Sequence, residues 1–202
     1  RQRQMCIRDS FTLAGNLFGY EDVLKLVLKS PQRLGEIMAL LQKVSVLYTR
    51  SLLENGAECI IIADPLSALI SPHHYRMFSL TSLKPIVDEV KRENKIVVLH
   101  TCGNAIKVLK CMAETGAHIL SIDRYVDIGF ALANTDKVIM GNIPTTLFLA
   151  DCEKVGEYVS SILSISKGRR HIVASGCEIP PYANPECIRK MVTTAKTFSI
   201  IE

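Results

Sequence analysis

Uninterrupted apolar runs separated by helical patterns constrain the fold of this chain more than any other feature. The segments 59–63, 96–99 and 172–174 are apolar throughout, instead of alternating between apolar and polar residues. Strands of this kind are buried on both faces, which is typical of a parallel sheet covered by helices. The full pattern predicts strands at 11–14, 59–63, 96–100, 118–122, 137–141 and 171–176, and helices at 21–29, 31–55, 72–94, 105–115, 127–134, 152–167 and 185–198. Because no repeat or linker interrupts the pattern, we expect one α/β domain.

Two of these strands end in residues that suit a metal ion. His100, Thr101 and Cys102 close the strand at 96–100, and Cys177 follows the strand at 171–176. An imidazole and two sulfurs are ligands that Zn²⁺ prefers, and three protein ligands with an open fourth position are typical of a catalytic zinc site. The alternative is a strand-end histidine with two buried cysteines, since free cysteine is among the most buried residue types. The spacing alone leaves both interpretations open.

The zinc hypothesis favours a closed barrel over a flat sheet. Strands 96–100 and 171–176 are three strands apart in sequence order, which is about 14 Å in a flat sheet, and their side chains would not converge there. At the carboxyl mouth of a (β/α)8 barrel, side chains point toward a shared centre, where such barrels carry their catalytic residues. The pattern predicts only five full strands and the end of a sixth. We therefore expect a (β/α)8 TIM barrel that is truncated at its N-terminus.

Composition excludes several classes of protein. The chain has 202 residues, of which 48% are hydrophobic, and a net charge of +4 without a stripe of Lys and Arg, so nucleic acid is not an expected partner. Its apolar runs are far too short to span a membrane, and no secretory leader is visible. Seven cysteines, an odd number, favour a reducing compartment, with thiols buried or on a metal instead of in disulfides. We expect a cytoplasmic protein with no membrane partner.

The first ten residues differ from the rest of the chain. Residues 1–10 include three arginines, have neither helical nor strand periodicity, and do not continue sensibly into Phe11. They resemble the translated read-through of a sequencing adapter, and an ordinary disordered tail is the alternative. We therefore expect 1–10 to be a non-native or disordered leader that packs against nothing, and 11–202 to be the C-terminal part of a single barrel domain.

Several short segments resemble, in order, the uroporphyrinogen decarboxylase superfamily. They are Phe11-Thr12-Leu13-Ala14-Gly15, Ala63-Asp64-Pro65, Ile70-Ser71-Pro72, His100-Thr101-Cys102-Gly103-Asn104, Met112-Ala113-Glu114-Thr115-Gly116-Ala117, Ser121-Ile122-Asp123, Gly141-Asn142-Ile143 and Ser175-Gly176-Cys177-Glu178-Ile179-Pro180-Pro181. The resemblance extends from residue 11 to about residue 198. Within the superfamily, the chain resembles the zinc-dependent methyltransferases, which carry His-x-Cys after one strand and a cysteine in a Ser-Gly-Cys turn near the end. Porphyrin-decarboxylating members usually carry other turns at both places.

This resemblance implies a ligand set, a reaction and a partner. It implies that His100, Cys102 and Cys177 bind Zn²⁺, and that a methyl group moves from a methylcobamide on a partner corrinoid protein to a small thiol such as coenzyme M. Tetrahydrofolate is the acceptor in some bacterial relatives. Zinc lowers the pKa of a bound thiol, so the acceptor would attack the methyl group as a thiolate.

Three further polar residues follow predicted strands and are weaker candidates. Asp123 stands where relatives of this type offer a carboxylate to zinc when no thiol is bound; a cap on the next helix is the alternative. Asp64 ends strand 59–63 and is a candidate for orienting substrate, with a structural turn as the alternative. Asn142 follows Gly141 and is a candidate binding residue at the mouth.

Two other functions stay open at this point. One is porphyrinogen decarboxylation on the same fold, which needs no metal and whose acidic catalytic residue would lie N-terminal to this chain. The other is a non-catalytic corrinoid-protein partner that keeps the barrel without turnover. Cys6 is set aside with the leader, and four other cysteines are interpreted as small apolar fillers or surface thiols, namely Cys59, Cys111, Cys152 and Cys187.

Overall fold

The structure is a computed structural model that describes residues 4–198. Within this range six strands alternate with helices. The strands are β1 Gln4–Arg8, β2 Cys59–Ala63, β3 Ile96–Thr101, β4 Ile119–Ile122, β5 Val138–Ile143 and β6 His171–Ser175. The helices are α1 Ser10–Phe18, α2 Tyr20–Lys29, α3 Pro31–Glu54, α4 Pro72–His74, α5 Thr81–Arg92, α6 Leu109–Glu114, α7 Ile128–Asn134, α8 Leu147–Ala150, α9 Cys152–Ser166 and α10 Pro185–Thr197, with a 3₁₀ turn at Leu66–Leu69 and a π-helical turn at Tyr75–Leu80.

The strands form one parallel sheet in sequence order, from β1 at one edge to β6 at the other. Ile60 and Ile62 on β2, Leu99 on β3 and Leu120 on β4 are fully buried. Each such side chain stabilises the fold by roughly 1.5–3 kcal/mol through removal of apolar surface from water. The apolar runs of the sequence are therefore explained, and the predicted parallel α/β sheet is confirmed.

Local sequence signals set most helix boundaries. Asp127 caps α7 by accepting a hydrogen bond from the backbone N–H of Phe130, and Asn184 caps α10 in the same way through Glu186. Pro31 and Pro185 stand in the first turn of their helices, where a missing N–H costs nothing. The helices predicted near 21–29, 31–55, 127–134, 152–167 and 185–198 are confirmed to within one or two residues.

The start of the chain corrects two predictions. Residues 4–8 do not lie outside the fold: they form β1, which pairs in parallel with β2, and Ile7 is buried. Residues 11–14 are not the end of a strand but part of α1, whose N-cap is Asp9. The physical reason is non-local, because the open edge of β2 supplies the hydrogen-bond partners that make residues 4–8 extended.

The cysteines require a third correction. Cys152 and Cys187 are not free thiols but form a disulfide between the first turns of α9 and α10. These helices pack side by side, and the two Cα atoms are 4.3 Å apart. A sequence separation of 35 residues gave no sign of this pairing, since disulfide connectivity depends on the fold and not on spacing.

The sheet is a six-stranded portion of a (β/α)8 barrel, as the sequence predicted. All connections between neighbouring strands are helical crossovers, and the carboxyl ends of the strands meet at one rim. We refer to this rim as the mouth. Among residues 4–198 no helix has the length and apolar character that crossing a membrane requires.

Candidate metal centre

The end of β3 presents two of the predicted ligands to the interior of the sheet. His100 and Cys102 are separated by one residue, so their side chains lie on the same face, whereas Thr101 points to the helices and is fully buried. Gly103 follows with a φ of 78°, a left-handed conformation that glycine adopts without strain and that turns the chain away from the mouth. Local strand geometry alone thus pairs an imidazole with a thiol.

The third predicted ligand comes from the edge strand β6 and lies beside this pair. Cys177 follows β6, three strands from β3, yet its Sγ atom is 3.4 Å from the Sγ atom of Cys102. The candidate ligand atoms of His100, Cys102 and Cys177 all lie within 4.8 Å of one another. The separation expected in a flat sheet is about 14 Å, so the curvature of the sheet creates the cluster. The convergence that we predicted is therefore observed.

Gly176 permits the close approach of the Cys177 turn. A Cβ atom at this position would lie 2.9 Å from both the backbone nitrogen of Arg124 and the Oδ1 atom of Asp123. The backbone N–H of Gly176 also donates to the carbonyl oxygen of Ile143 over 2.7 Å, which extends the β5–β6 pairing to the mouth. A larger residue at 176 would push Cys177 away from β3 and β4.

The donor set fits a tetrahedral zinc ion. With Zn–S bonds of about 2.3 Å, two cysteine ligands are separated by roughly 3.8 Å, close to the observed sulfur–sulfur distance. One neutral imidazole and two thiolates would occupy three of the four coordination positions, and the two negative charges of the thiolates would balance the double positive charge of the metal. The fourth position would face the cavity that these residues line.

Burial governs the protonation of the metal-free cluster. It raises the pKa of Cys102 to about 12, helped by the neighbouring Cys177 and the negative charge of Asp123. Burial also lowers the pKa of His100, against the opposing effect of Asp123. The imidazole is therefore neutral, in the form that binds metals, whereas Cys102 must lose a proton when a metal binds.

Asp123 contacts the cluster directly. Its Oδ2 atom accepts a hydrogen bond from the backbone N–H of Gly103 over 2.9 Å and one from the thiol of Cys102 over 3.5 Å. Its Oδ1 atom accepts from the backbone N–H of Arg124. The alternative role as a helix cap is wrong, because Asp127 caps the following helix.

The other two candidates face away from the cavity. Asp64 follows Ala63, which lines the cavity, and therefore points to the opposite side of the sheet, where it is fully buried. The amide of Asn142 donates to the carbonyl oxygen of Val126, and its oxygen accepts from the hydroxyl of Tyr158. Both placements favour the structural alternatives, and the catalytic role of Asp64 and the binding role of Asn142 stay predictions without a supporting contact.

The cavity at the mouth has a volume of about 580 Å³. Besides the three candidate ligands, it is lined by residues that sequence reasoning missed, namely Arg8, Ser121, Met140 and Glu178. Ser121 is identified by the register of β3 and β4, in which it pairs with His100 and so lies on the same face of the sheet. Glu178 follows Cys177 in the turn after β6, and only the conformation of this turn shows that its side chain lines the cavity.

Comparisons with known proteins define the family. Residues 8–198 match the family model described as Uroporphyrinogen decarboxylase (URO-D). The chain is 31% identical over 189 residues to "Methylcobamide:CoM methyltransferase MtbA" of Methanosarcina acetivorans, covering 91% of the chain and 52% of that protein. It is 33% identical over 174 residues to the "Uroporphyrinogen decarboxylase" of Shewanella denitrificans, covering 83% of the chain and 49% of that protein.

A solved structure has the same fold. It is described as a methyltransferase from Methanosarcina mazei, and it superimposes with a TM-score of 0.86 at 24% identity, covering 96% of the chain and 58% of that structure. The chain thus spans about half the length of the curated relatives that it matches. The protein belongs to the uroporphyrinogen decarboxylase (URO-D) family, whose members named here are methyltransferases and decarboxylases.

Proposed function

We propose that this chain is the C-terminal part of a zinc-dependent methyltransferase that moves a methyl group from a methylated corrinoid protein to a small thiol such as coenzyme M. The observation that carries the proposal is the convergence of His100, Cys102 and Cys177 within 4.8 Å at the mouth of the barrel. The likeness to a methylcobamide:CoM methyltransferase supports the same reaction. Tetrahydrofolate is the alternative acceptor.

The charges of the three ligands suit a thiol acceptor. Two cysteinates and a neutral imidazole compensate the double charge of zinc, so an additional thiolate would make the site net negative and electron-rich. When bound, zinc would lower the pKa of the acceptor thiol and keep it as a nucleophilic thiolate at neutral pH. The Oδ2 atom of Asp123 and the Sγ atom of Cys177 both lie within hydrogen-bond distance of the Cys102 thiol, which must lose its proton when a metal binds.

The shape of the mouth is compatible with two reactants. A cavity of about 580 Å³ is in the range of sites for small molecules and would accept a short thiol. The rim above it consists of loops after the strands, where barrel enzymes bind their substrates. A corrinoid carried by a partner protein would approach from this open side.

The alternative function is porphyrinogen decarboxylation. Relatives named uroporphyrinogen decarboxylase match the chain at similar identity, which favours this reaction as the second candidate. The resemblance to decarboxylases implies a reaction without a metal, so zinc dependence separates the two functions.

A cytoplasmic location belongs to the proposal as well, although the Cys152–Cys187 disulfide removes part of the compositional argument for it.

The test combines zinc content with activity in the full-length protein that contains this chain. Replacing Cys177→Ala removes one of three ligands, and Cys59→Ala is a matched control because this free thiol lies at the far end of β2. We expect about one zinc ion per chain in the wild type and the control, and little in the Cys177 variant. Methyl transfer from methylcobalamin to coenzyme M should fall in that variant by at least roughly 10–100-fold, the loss caused even by removal of a residue that supports a ligand.

A chelator titration supplies the decisive comparison. Methyl transfer should fall in proportion to the zinc removed and return when zinc is added back. Full turnover in zinc-free protein, or decarboxylation of uroporphyrinogen that is independent of zinc, would refute the proposal and favour the decarboxylase.

A further inference from the structure

We propose that Ser121 positions the imidazole of His100 for metal binding, an inference that rests on the proposed zinc site. Ser121 lies on β4 in register with His100 on β3, so that the two side chains share the interior face of the sheet. Its Oγ atom is 3.0 Å from the Nδ1 atom of His100, and the residue is only 4% exposed. The hydrogen bond therefore joins a buried hydroxyl to a half-buried imidazole at the wall of the cavity.

The hydrogen bond fixes the orientation of the imidazole and is compatible with the tautomer that a metal needs. A neutral imidazole carries one N–H group, and a metal binds the ring nitrogen that lacks it. Because Nδ1 is directed at the hydroxyl of Ser121, the tautomer that binds zinc donates from Nδ1 to Oγ and leaves the lone pair of Nε2 for the metal. Metal-binding histidines usually have a partner of this kind for the second ring nitrogen.

Strand β4 supports both ligands of β3 at once. Ser121 contacts His100, and Asp123, the first residue after the end of β4, contacts Cys102 and Gly103. Ser121 and Asp123 have the same spacing of two residues as His100 and Cys102, because the register of β3 and β4 pairs His100 with Ser121 and Thr101 with Ile122 and so brings the next residues of both segments side by side. Ser121 is thus a positioning residue that acts on the metal through His100.

Two substitutions of equal shape test this role. Ser121→Thr keeps the hydroxyl, whereas Ser121→Val replaces it by a methyl group, so the pair differs in the hydrogen bond alone. Thr101→Val is the matched control, because it removes a buried hydroxyl that has no hydrogen-bond partner and lies next to His100 on the opposite face. The measurement is the zinc affinity of the full-length protein, determined by competition with a chromophoric chelator.

We expect Ser121→Val to bind zinc 10–100-fold more weakly than Ser121→Thr, the usual effect of losing a residue that supports a ligand. Thr101→Val should bind zinc like the wild type. A second readout is the ¹⁵N spectrum of the zinc-loaded protein, in which the Nδ1 proton of His100 should exchange with solvent more slowly in the wild type and Ser121→Thr, where the hydroxyl accepts it, than in Ser121→Val.

The outcomes separate this inference from the proposed function. If the wild type binds no zinc, the proposed function fails and the role of Ser121 fails with it. If the wild type binds zinc and Ser121→Val binds it as tightly as Ser121→Thr, only the role of Ser121 is refuted. Thermal melts of both variants identify any loss of folding. If Ser121→Thr is folded and its zinc affinity falls as far as that of Ser121→Val, the inference is also refuted.

Discussion

Asp64 is a carboxylic acid in the core of the molecule. It is fully buried, and neither of its oxygen atoms makes a hydrogen bond of good geometry, although Ser67 and Asp9 lie beside it. Burial raises its pKa well above the usual range, and the nearby Asp9 carboxylate adds to this effect. Glu89 shows the opposite behaviour, since hydrogen bonds from Arg50 and Arg92 lower its pKa to about 2. Burial therefore favours the neutral form of Asp64, while the two arginines favour the ionised form of Glu89.

We expect Asp64→Asn to gain stability relative to the wild type as the pH rises, because the amide carries no charge, whereas ionisation of the buried acid is unfavourable. The folded-state pKa is raised, so the contribution of Asp64 to stability is most favourable below its unfolded pKa of 3.8 and is lost as the pH rises above it. Urea unfolding between pH 4 and pH 8 should show that the advantage of the Asn variant grows with pH. A variant that is less stable than the wild type at pH 8 would show that Asp64 serves as an ionised group.

Glu89→Gln should show the opposite dependence on pH when the urea unfolding is extended down to pH 3. Its folded-state pKa is lowered from 4.5 to about 2, so its contribution is present above pH 4.5 and lost as the pH falls toward 2. We expect the free energy of unfolding to fall by roughly 1–3 kcal/mol at neutral pH, a modest loss because the partner arginines are half exposed and solvent screens their charges. The loss should shrink below pH 4.5, because Glu89 becomes protonated in the wild type as well. An equal loss at pH 3 and pH 7 would contradict the charge-based explanation.

At the scale of elements, the disulfide holds the last two helices together. Cys152 opens α9, and Cys187 lies in the first turn of α10, the helix that follows the loop carrying Cys177. Cys187 is buried, so its replacement leaves the helix pair without both the covalent link and a packed side chain. The segment that carries Cys177, the third ligand of the proposed zinc site, is thereby attached at both ends, to β6 and to α9.

We expect Cys187→Ala to lower the free energy of unfolding by about 2–4 kcal/mol under non-reducing conditions, since the lost link constrains the unfolded chain. Thermal melts with and without dithiothreitol provide the measurement. Reduction of the wild type should remove most of the difference. Identical melting of the oxidised wild type and the variant would mean that the disulfide does not form in solution.

At the scale of the whole molecule, two edges and one helix face are uncovered. Within residues 4–198, β1 pairs only with β2, and β6 pairs only with β5. The outer side of α3 carries Leu40, Val44, Leu47 and Tyr48, each more than half exposed. Open strand edges and contiguous apolar patches both promote association.

We therefore expect this chain, expressed alone, to aggregate or to remain partly unfolded, and the full-length protein to avoid both. Light scattering after size-exclusion chromatography measures the first, and a thermal melt measures the second. A monomeric 202-residue product that melts cooperatively would refute the expectation.

Much of the fold follows from local sequence. The apolar run at β2 and the proline and asparagine at the start of α10 determine their elements through burial and capping, which act over a few residues. The order of strands also follows, because helices between parallel strands place each strand beside the next. The ligand types His100, Cys102 and Cys177 were recognisable for the same reason, since each closes an apolar strand.

Tertiary structure alone decided what depends on contacts between distant segments. Residues 4–8 are a strand because β2 offers an edge, and Cys152 and Cys187 are paired because α9 packs on α10. Asp64 and Asn142 stand at the correct strand ends, but their side chains turn away from the cavity. Sequence determined which residues reach the mouth of the barrel, and the curvature and register of the sheet determined which of them meet, because convergence across three strands is a property of the sheet and of no single strand.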